Sequence, residues 1–285
     1  RLMAHGYDVV ATDPAEGAEA KMKHALQQAL PALRAQNYKE ENSWGQVRFE
    51  KDLPAAVADA DFIQENAPEQ LDLKCQLIQE IDRITGDHAL ICSSTSGITA
   101  STLQQDCNHP ERIMVAHPFN PVYLLPLVEL VGGTETSEAA MEKAFEFFNH
   151  ISMRPLRVRH EVEGHIADRL MEALWREALH LVNDNVATTA EVDAAIIYGA
   201  GLRWAQMGPF LTFHMAGGEG GMRHMLQQFG PALQLPWTRL KAPELSEQLI
   251  ERVVSGCEEQ AGDQAITELA KKRDEFLVKL LALVQ

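Results

Sequence analysis

Apolar positions in the first half of the chain follow two alternating patterns. Short apolar runs at Asp8–Thr12, Val47–Phe49, Ala60–Glu65, Ala89–Cys92, Ile113–Ala116 and Leu127–Val131 are too brief for helices and predict strands. Between them, Ala18–Arg34 and Leu71–Ile84 carry apolar residues at helical spacing; Pro31 is expected to interrupt the first, and the second to end near Gly86. Strands alternating with helices predict crossover units and a mostly parallel sheet covered on both faces. Residues 1 to 6 read as the tail of a helix capped by Gly6. On that reading the chain begins about one strand and most of one helix after the start of a dinucleotide-binding sheet, and the glycine-rich turn that cradles a pyrophosphate precedes these residues.

The pattern changes after Arg154–Val158. Ile166–Val186 has one broad apolar face, Thr188-Thr189-Ala190-Glu191 has the form of a capping box, and Ser246–Gly256 and Gln264–Leu283 predict further helices. Gly217-Gly218-Glu219-Gly220-Gly221 is expected to break two helices. The predicted division is therefore an α/β domain over 1–158 and a helical domain over 159–285, with no internal repeat.

Composition narrows the class of protein. A chain of 285 residues with 46% apolar and 23% charged residues suits a globular protein of two domains. No apolar run approaches the roughly 20 residues of a membrane span, so a soluble, cytoplasmic protein is expected, and no cleavable signal is seen. The formal net charge of -16 argues against nucleic acid as a partner and favours cationic or zwitterionic substrates over polyanions. The four cysteines lack zinc-ligand spacing and read as free thiols, and the eleven histidines form no His-Glu-x-x-His pattern, so no metal site is expected.

The densest chemistry lies at His117-Pro118-Phe119-Asn120-Pro121 and at Glu129. The prolines make the first segment a rigid turn at a strand end, and Glu129 sits in the following strand. A histidine and a glutamate so placed can face each other across a sheet, giving a base and an orienting carboxylate able to take a proton from an alcohol. Asp13, Glu65, Ser93–Gly97 and His117 all fall at carboxyl ends of predicted strands, where open parallel sheets bind ligands. Taken alone, Ser96 reads as a turn serine satisfying backbone groups, Asp13 as a strand-end acid before Pro14, and Asn66-Ala67-Pro68 as a plain loop. Asn120 either tethers a substrate oxygen or shapes its turn.

The strand-end Asp13, the Ser-x-Thr-Ser stretch, the block around His117 with Glu129, and the helical second half together resemble the 3-hydroxyacyl-CoA dehydrogenase family. The resemblance implies a Rossmann-like N-terminal domain, an all-helical C-terminal domain that dimerises, and NAD as cofactor. It places the family's catalytic serine, histidine and glutamate on Ser96, His117 and Glu129. A strand-end acid at Asp13 can accept from the ribose hydroxyls and select NAD over NADP, and Glu65, Asn66, Ala67, Pro68 and Ser94 are expected to lie along the cofactor. A family asparagine falls on Asp168, within Gly164–Leu170; an ionised aspartate cannot donate a hydrogen bond as asparagine does, and an anion there suits a cationic substrate.

Pro121–Leu127, and Leu211–His214 running into Gly217–Gly221, look like members of the family that oxidise the 3-hydroxyl of carnitine. A quaternary ammonium has no proton to donate, so aromatic faces and carboxylates must hold it. Tyr123, Trp204, Phe210, Phe213 and Trp237 are the aromatic candidates and Asp168 a counter-charge, with Arg169 or Arg203 for a substrate carboxylate. Oxidation of a 3-hydroxyacyl-CoA, and a non-catalytic nucleotide-binding or structural role on a dehydrogenase scaffold, stand as the other readings.

Overall fold

In the computed structural model, residues 1–205, 207–238, 246–250, 254 and 266–284 are described. The chain divides into two compact units, Arg1–Arg169 and Leu170–Gln285. The first extends past the expected boundary near residue 158, because Glu129 on a central strand takes backbone N–H groups from Ile166 and Ala167.

Seven strands form the first unit: β1 (Val9–Ala11), β2 (Val47–Phe49), β3 (Phe62–Glu65), β4 (Leu90–Ser93), β5 (Ile113–Pro118), β6 (Leu127–Gly132) and β7 (Arg154–Val158). The last was not anticipated as a strand. Strands β1 and β2 pair in parallel, and the other five form a sheet in the order β3-β4-β5-β6-β7. All its pairings are parallel except β5 with β6, which run antiparallel and set His117 directly opposite Glu129.

Alternation along the strands sorts side chains onto two faces. Leu90, Cys92, Met114, Ala116, Val128 and Leu130 pack against Ala140, Met141, Ala144 and Phe148 of helix α5 (Glu138–His150), taken here as the fifth helix in the chain. Ile63, Ile91, Ile113, Val115 and Val131 face the other way, against Ile78 and Ile81 of α3 (Leu71–Ile84). Parity then assigns Glu65, Ser93, His117 and Glu129 to this second face, toward the carboxyl ends of the parallel strands. Helices α2 (Leu53–Val57) and α4 (Ala100–Leu103) are short, and each is capped by a side chain, Asp52 and Thr99 respectively.

Helix α1 (Ala18–Gln36) runs through Pro31, contrary to expectation. An internal proline costs about 3 kcal/mol. Here its ring is exposed, while Ala32 is buried and Ala29 and Leu33 are buried against Ala4, so packing offsets the lost backbone bond. Gly6 closes the turn Met3–His5 at φ 88°, as the sequence suggested.

The described part of the second unit is helical. Helix α6 (Ala167–Asn183) is followed by Thr189–Ala195, whose capping box joins Thr188 and Glu191 reciprocally. A π turn, Ile196–Ala200, continues into Gly201–Trp204. Pro209–Ala216 and Gly221–Phe229 flank a 3-10 turn at Gly218–Gly220, the expected break. Of the predicted helix at 246–256, residues 247–250 and 254 are helical and the others apart from Ser246 lie outside the described residues, as does Cys257. The last helix is described over Ile266–Val284. No described helix is long and apolar enough to cross a membrane.

Candidate active site

The antiparallel β5–β6 pair is the foundation of the site. His117 is the penultimate residue of β5 and Glu129 its register partner, so the two side chains project from one point on one face. The His117 Nδ1 lies 3.4 Å from Glu129 Oε2, and its Nε2 lies 2.9 Å from Ser96 Oγ. Glu129 has no solvent-exposed side-chain surface. Its second oxygen accepts the N–H groups of Ile166, at 2.9 Å, and Ala167, at 3.0 Å. Burial opposes ionisation of Glu129, but the bonds from His117, Ala167 and Ile166, with His165 nearby, outweigh it and lower its pKa. A carboxylate so held selects the His117 tautomer with its proton on Nδ1, leaving the Nε2 lone pair toward Ser96 and the site. Phe119 meets the imidazole edge-on, with ring centroids 5.1 Å apart.

Ser96 is placed by two neighbouring segments. The Glu69 carboxylate accepts the N–H groups of Ser96, at 3.2 Å, and Gly97, at 3.0 Å, and the Thr95 hydroxyl. Burial again opposes ionisation of Glu69, and these donors with Lys74 prevail, holding its pKa below the ordinary value. From the other side, Gly164 N–H donates to the Ser96 carbonyl at 2.8 Å, and His165 Nε2 to the Thr95 carbonyl at 3.1 Å. Gly164 and His165 have φ of 72° and 46°, a left-handed pair that aims the His165 ring inward. His165 is buried 5.2 Å from His117, ring centre to ring centre, and its Nδ1 has no hydrogen-bond partner among the described residues.

Asp168 stands in the first turn of α6, with Oδ2 3.6 Å from His117 Nε2 and the side chain 27% exposed. Ser96, His117, Glu129 and Asp168, all expected site residues, therefore meet in one place. Asn120 is exposed in the adjoining turn, joined to Pro121 by a cis peptide bond.

Glu65, anticipated beside the cofactor, has a fully buried side chain: Lys74 Nζ bonds both oxygens, at 2.9 and 3.1 Å, and the Ser93 hydroxyl and Ala67 N–H also donate to it. Ser94 Oγ donates to the exposed Asn66 at 2.8 Å and accepts from Gln64, which also reaches the Ala116 carbonyl. Ala67 is half-buried and Pro68 exposed. Asp13 is exposed past the end of β1, and accepts the Ala15 N–H at 2.8 Å. Tyr123, expected to face an ammonium group, packs against Ala4, Ala29 and Leu33. Trp204, Phe210, Phe213 and Trp237 are exposed residues of the second unit. Arg169 reaches the Glu163 carbonyl at 3.4 Å, and Arg203 is exposed.

Glu69, Lys74 and His165 were not singled out from the sequence. Lys74 could have been, since it falls on the buried stripe of α3 with Ile78 and Ile81, where a cation demands a buried anion. No comparable pattern marks His165. Among the described residues no cluster of three or more His, Cys, Asp or Glu could hold a metal ion.

Comparison with known proteins agrees with this architecture. The family model for the 3-hydroxyacyl-CoA dehydrogenase NAD binding domain matches residues 1–162, and that for the family's C-terminal domain matches 164–262. The L-carnitine dehydrogenase of Bacillus cereus is 59% identical over 285 residues, covering 100% of this chain and 87% of that protein. Its counterpart in Pseudomonas aeruginosa is 55% identical, covering 100% of this chain and 89% of its own. Among solved structures, an NAD+-dependent dismutase that is the 5-dehydrogenase of a pyridine carboxylic acid superposes with a TM-score of 0.82 at 27% identity, over 99% of this chain and 92% of that one. With an NAD-binding domain, a helical C-terminal domain and relatives more than half identical over the whole chain, the protein belongs to the 3-hydroxyacyl-CoA dehydrogenase family.

Proposed function

We propose that the chain oxidises the 3-hydroxyl of L-carnitine to 3-dehydrocarnitine with NAD, and that it does so as a homodimer. The observation that carries the substrate is the run of relatives named L-carnitine dehydrogenase, 51% to 59% identical across essentially the whole chain. The observation that carries the chemistry is the imidazole of His117 held between Glu129 and Ser96.

Oxidation of a secondary alcohol removes a proton from oxygen and a hydride from carbon. NAD, when bound, supplies the hydride acceptor. The strand-end carboxylate of Asp13, exposed beyond β1, fits the position that receives ribose hydroxyls in such sheets. His117 Nε2 takes the hydroxyl proton as the carbonyl forms. Glu129 keeps the lone pair on Nε2 and stabilises the imidazolium that results; the 3.4 Å separation in the free protein leaves room to tighten as charge develops. Ser96, already 2.9 Å from Nε2, turns its hydroxyl to the substrate oxygen when the alcohol enters.

The family's own name favours a second substrate, a 3-hydroxyacyl-CoA. Formation of reduced nicotinamide, followed by absorbance with L-carnitine and with 3-hydroxybutyryl-CoA, separates the two. Turnover of carnitine with little of the thioester is expected. The reverse preference would overturn the substrate, and binding of NAD with turnover of neither would overturn the catalytic reading.

A further inference from the structure

We infer that Asp168 reads the positive charge of the substrate, and that it is the residue by which this site prefers a cationic 3-hydroxy acid to a neutral one of the same shape. The inference rests on the reading of His117 as the proton acceptor for an L-carnitine-like substrate, and it concerns a neighbouring group on that same site.

The geometry is specific. With the His117 proton on Nδ1, Nε2 presents a lone pair, and a carboxylate oxygen 3.6 Å away gains no hydrogen bond from it. Ser96, at 2.9 Å, is the group that satisfies Nε2 in the free protein. Among the described residues no donor hydrogen-bonds the Asp168 carboxylate, and the adjacent Arg169 is directed to the Glu163 carbonyl. Asp168 is thus a half-buried carboxylate, and among the described residues the imidazole of His117 is the one ionisable group that it pairs with. The first turn of α6 tolerates that anion, because backbone N–H groups there carry partial positive charge. A carboxylate with no Lys or Arg partner among the described residues, beside the atom that must meet a substrate hydroxyl, is suited to a cation arriving with that hydroxyl.

The chemistry of the substrate closes the match. In carnitine two carbons separate the hydroxyl oxygen from the quaternary nitrogen, so a hydroxyl bonded to Nε2 brings the charged group into the neighbourhood of Asp168. A quaternary ammonium cannot donate a hydrogen bond; a carboxylate is satisfied by its charge alone. The second carboxylate of the site, Glu129, is fully buried and spent on His117, Ile166 and Ala167, so it is unavailable for this purpose.

The same anion also faces the imidazolium formed during turnover, and that role must be separated from charge recognition. The probe is the carbon isostere of carnitine, 3-hydroxy-5,5-dimethylhexanoate of matched configuration, in which a tert-butyl group replaces trimethylammonium. Both substrates are oxidised by wild type and by Asp168→Asn, and binding of each to the complex with reduced nicotinamide is followed by fluorescence. The wild type is expected to prefer carnitine. In Asp168→Asn, the preference for carnitine over the isostere, taken as the ratio of their kcat/KM values, is expected to fall roughly 10- to 100-fold, mainly through KM for carnitine. Oxidation of the isostere by the variant shows that it is folded. Equal losses for both substrates would overturn the inference and assign Asp168 to the proton transfer; no loss for either would overturn it outright. Failure of wild type to oxidise carnitine while oxidising the isostere would overturn the substrate reading itself.

Discussion

Glu129 shows how much one side chain of the site depends on its partners. It is buried, yet its pKa lies below the ordinary value of 4.5 because His117, Ala167 and Ile166 bond the ionised form despite the burial that opposes it. A carboxylate with a depressed folded-state pKa stabilises the protein above its unfolded pKa, and that contribution is lost as pH falls through the folded value. The midpoint of thermal unfolding is therefore expected to drop on acidification below about pH 4.5 more steeply in wild type than in Glu129→Gln. Parallel curves for the two proteins would remove Glu129 as a source of acid sensitivity. At neutral pH, Glu129→Gln is expected to lower kcat at least about a hundredfold, since an amide no longer enforces the productive tautomer. At this scale the pairing of His117 with Glu129 was legible, because it follows from strand order and parity. The burial of Glu65 was not legible, because its partner Lys74 lies on the next helix. Strand-end position alone does not say whether a carboxylate faces the cleft or the core.

Among the elements, one antiparallel pairing and one tight turn decide the geometry. Running β6 antiparallel to β5 is what brings residues a dozen positions apart into register. The turn at Gly164-His165 then ties the loop after β4 to the start of α6, through the Ser96 and Thr95 carbonyls, while the next two N–H groups hold Glu129. His165 is accordingly a positioning residue for Ser96 and Glu129 alike. His165→Phe keeps much of the volume but leaves the Thr95 carbonyl without its donor. A loss of roughly 10- to 100-fold in kcat is expected, with KM for carnitine nearly unchanged and part of the rate restored in His165→Gln. A rise in KM alone, or no rescue by glutamine, would contradict this. Most elements were readable from apolar periodicity, including the bounds of α3 and the capping box at Thr188 and Glu191. Helix α1 was misjudged at Pro31 because local propensity was weighed without the buried alanines and leucine that hold it. Strand β7 was not recognised because three of its five residues are exposed and carry no apolar run.

For the molecule as a whole, the division into an α/β unit and a helical unit was apparent from the change of period after Val158. The first unit runs on to Arg169, past the N–H groups of Ile166 and Ala167 that bond Glu129, and composition does not mark that point. Ser96 illustrates the same limit: its chemistry is ordinary for a turn, and only the assembled loop, held by Glu69 and His165, brings its hydroxyl to His117. Oxidation as proposed requires that imidazole to accept the hydroxyl proton. The most direct test is kcat for carnitine oxidation by full-length His117→Gln, with carnitine binding measured alongside. A fall on the order of 10²- to 10⁴-fold with binding largely retained is expected. Turnover close to wild type would contradict it and remove His117 from the reaction.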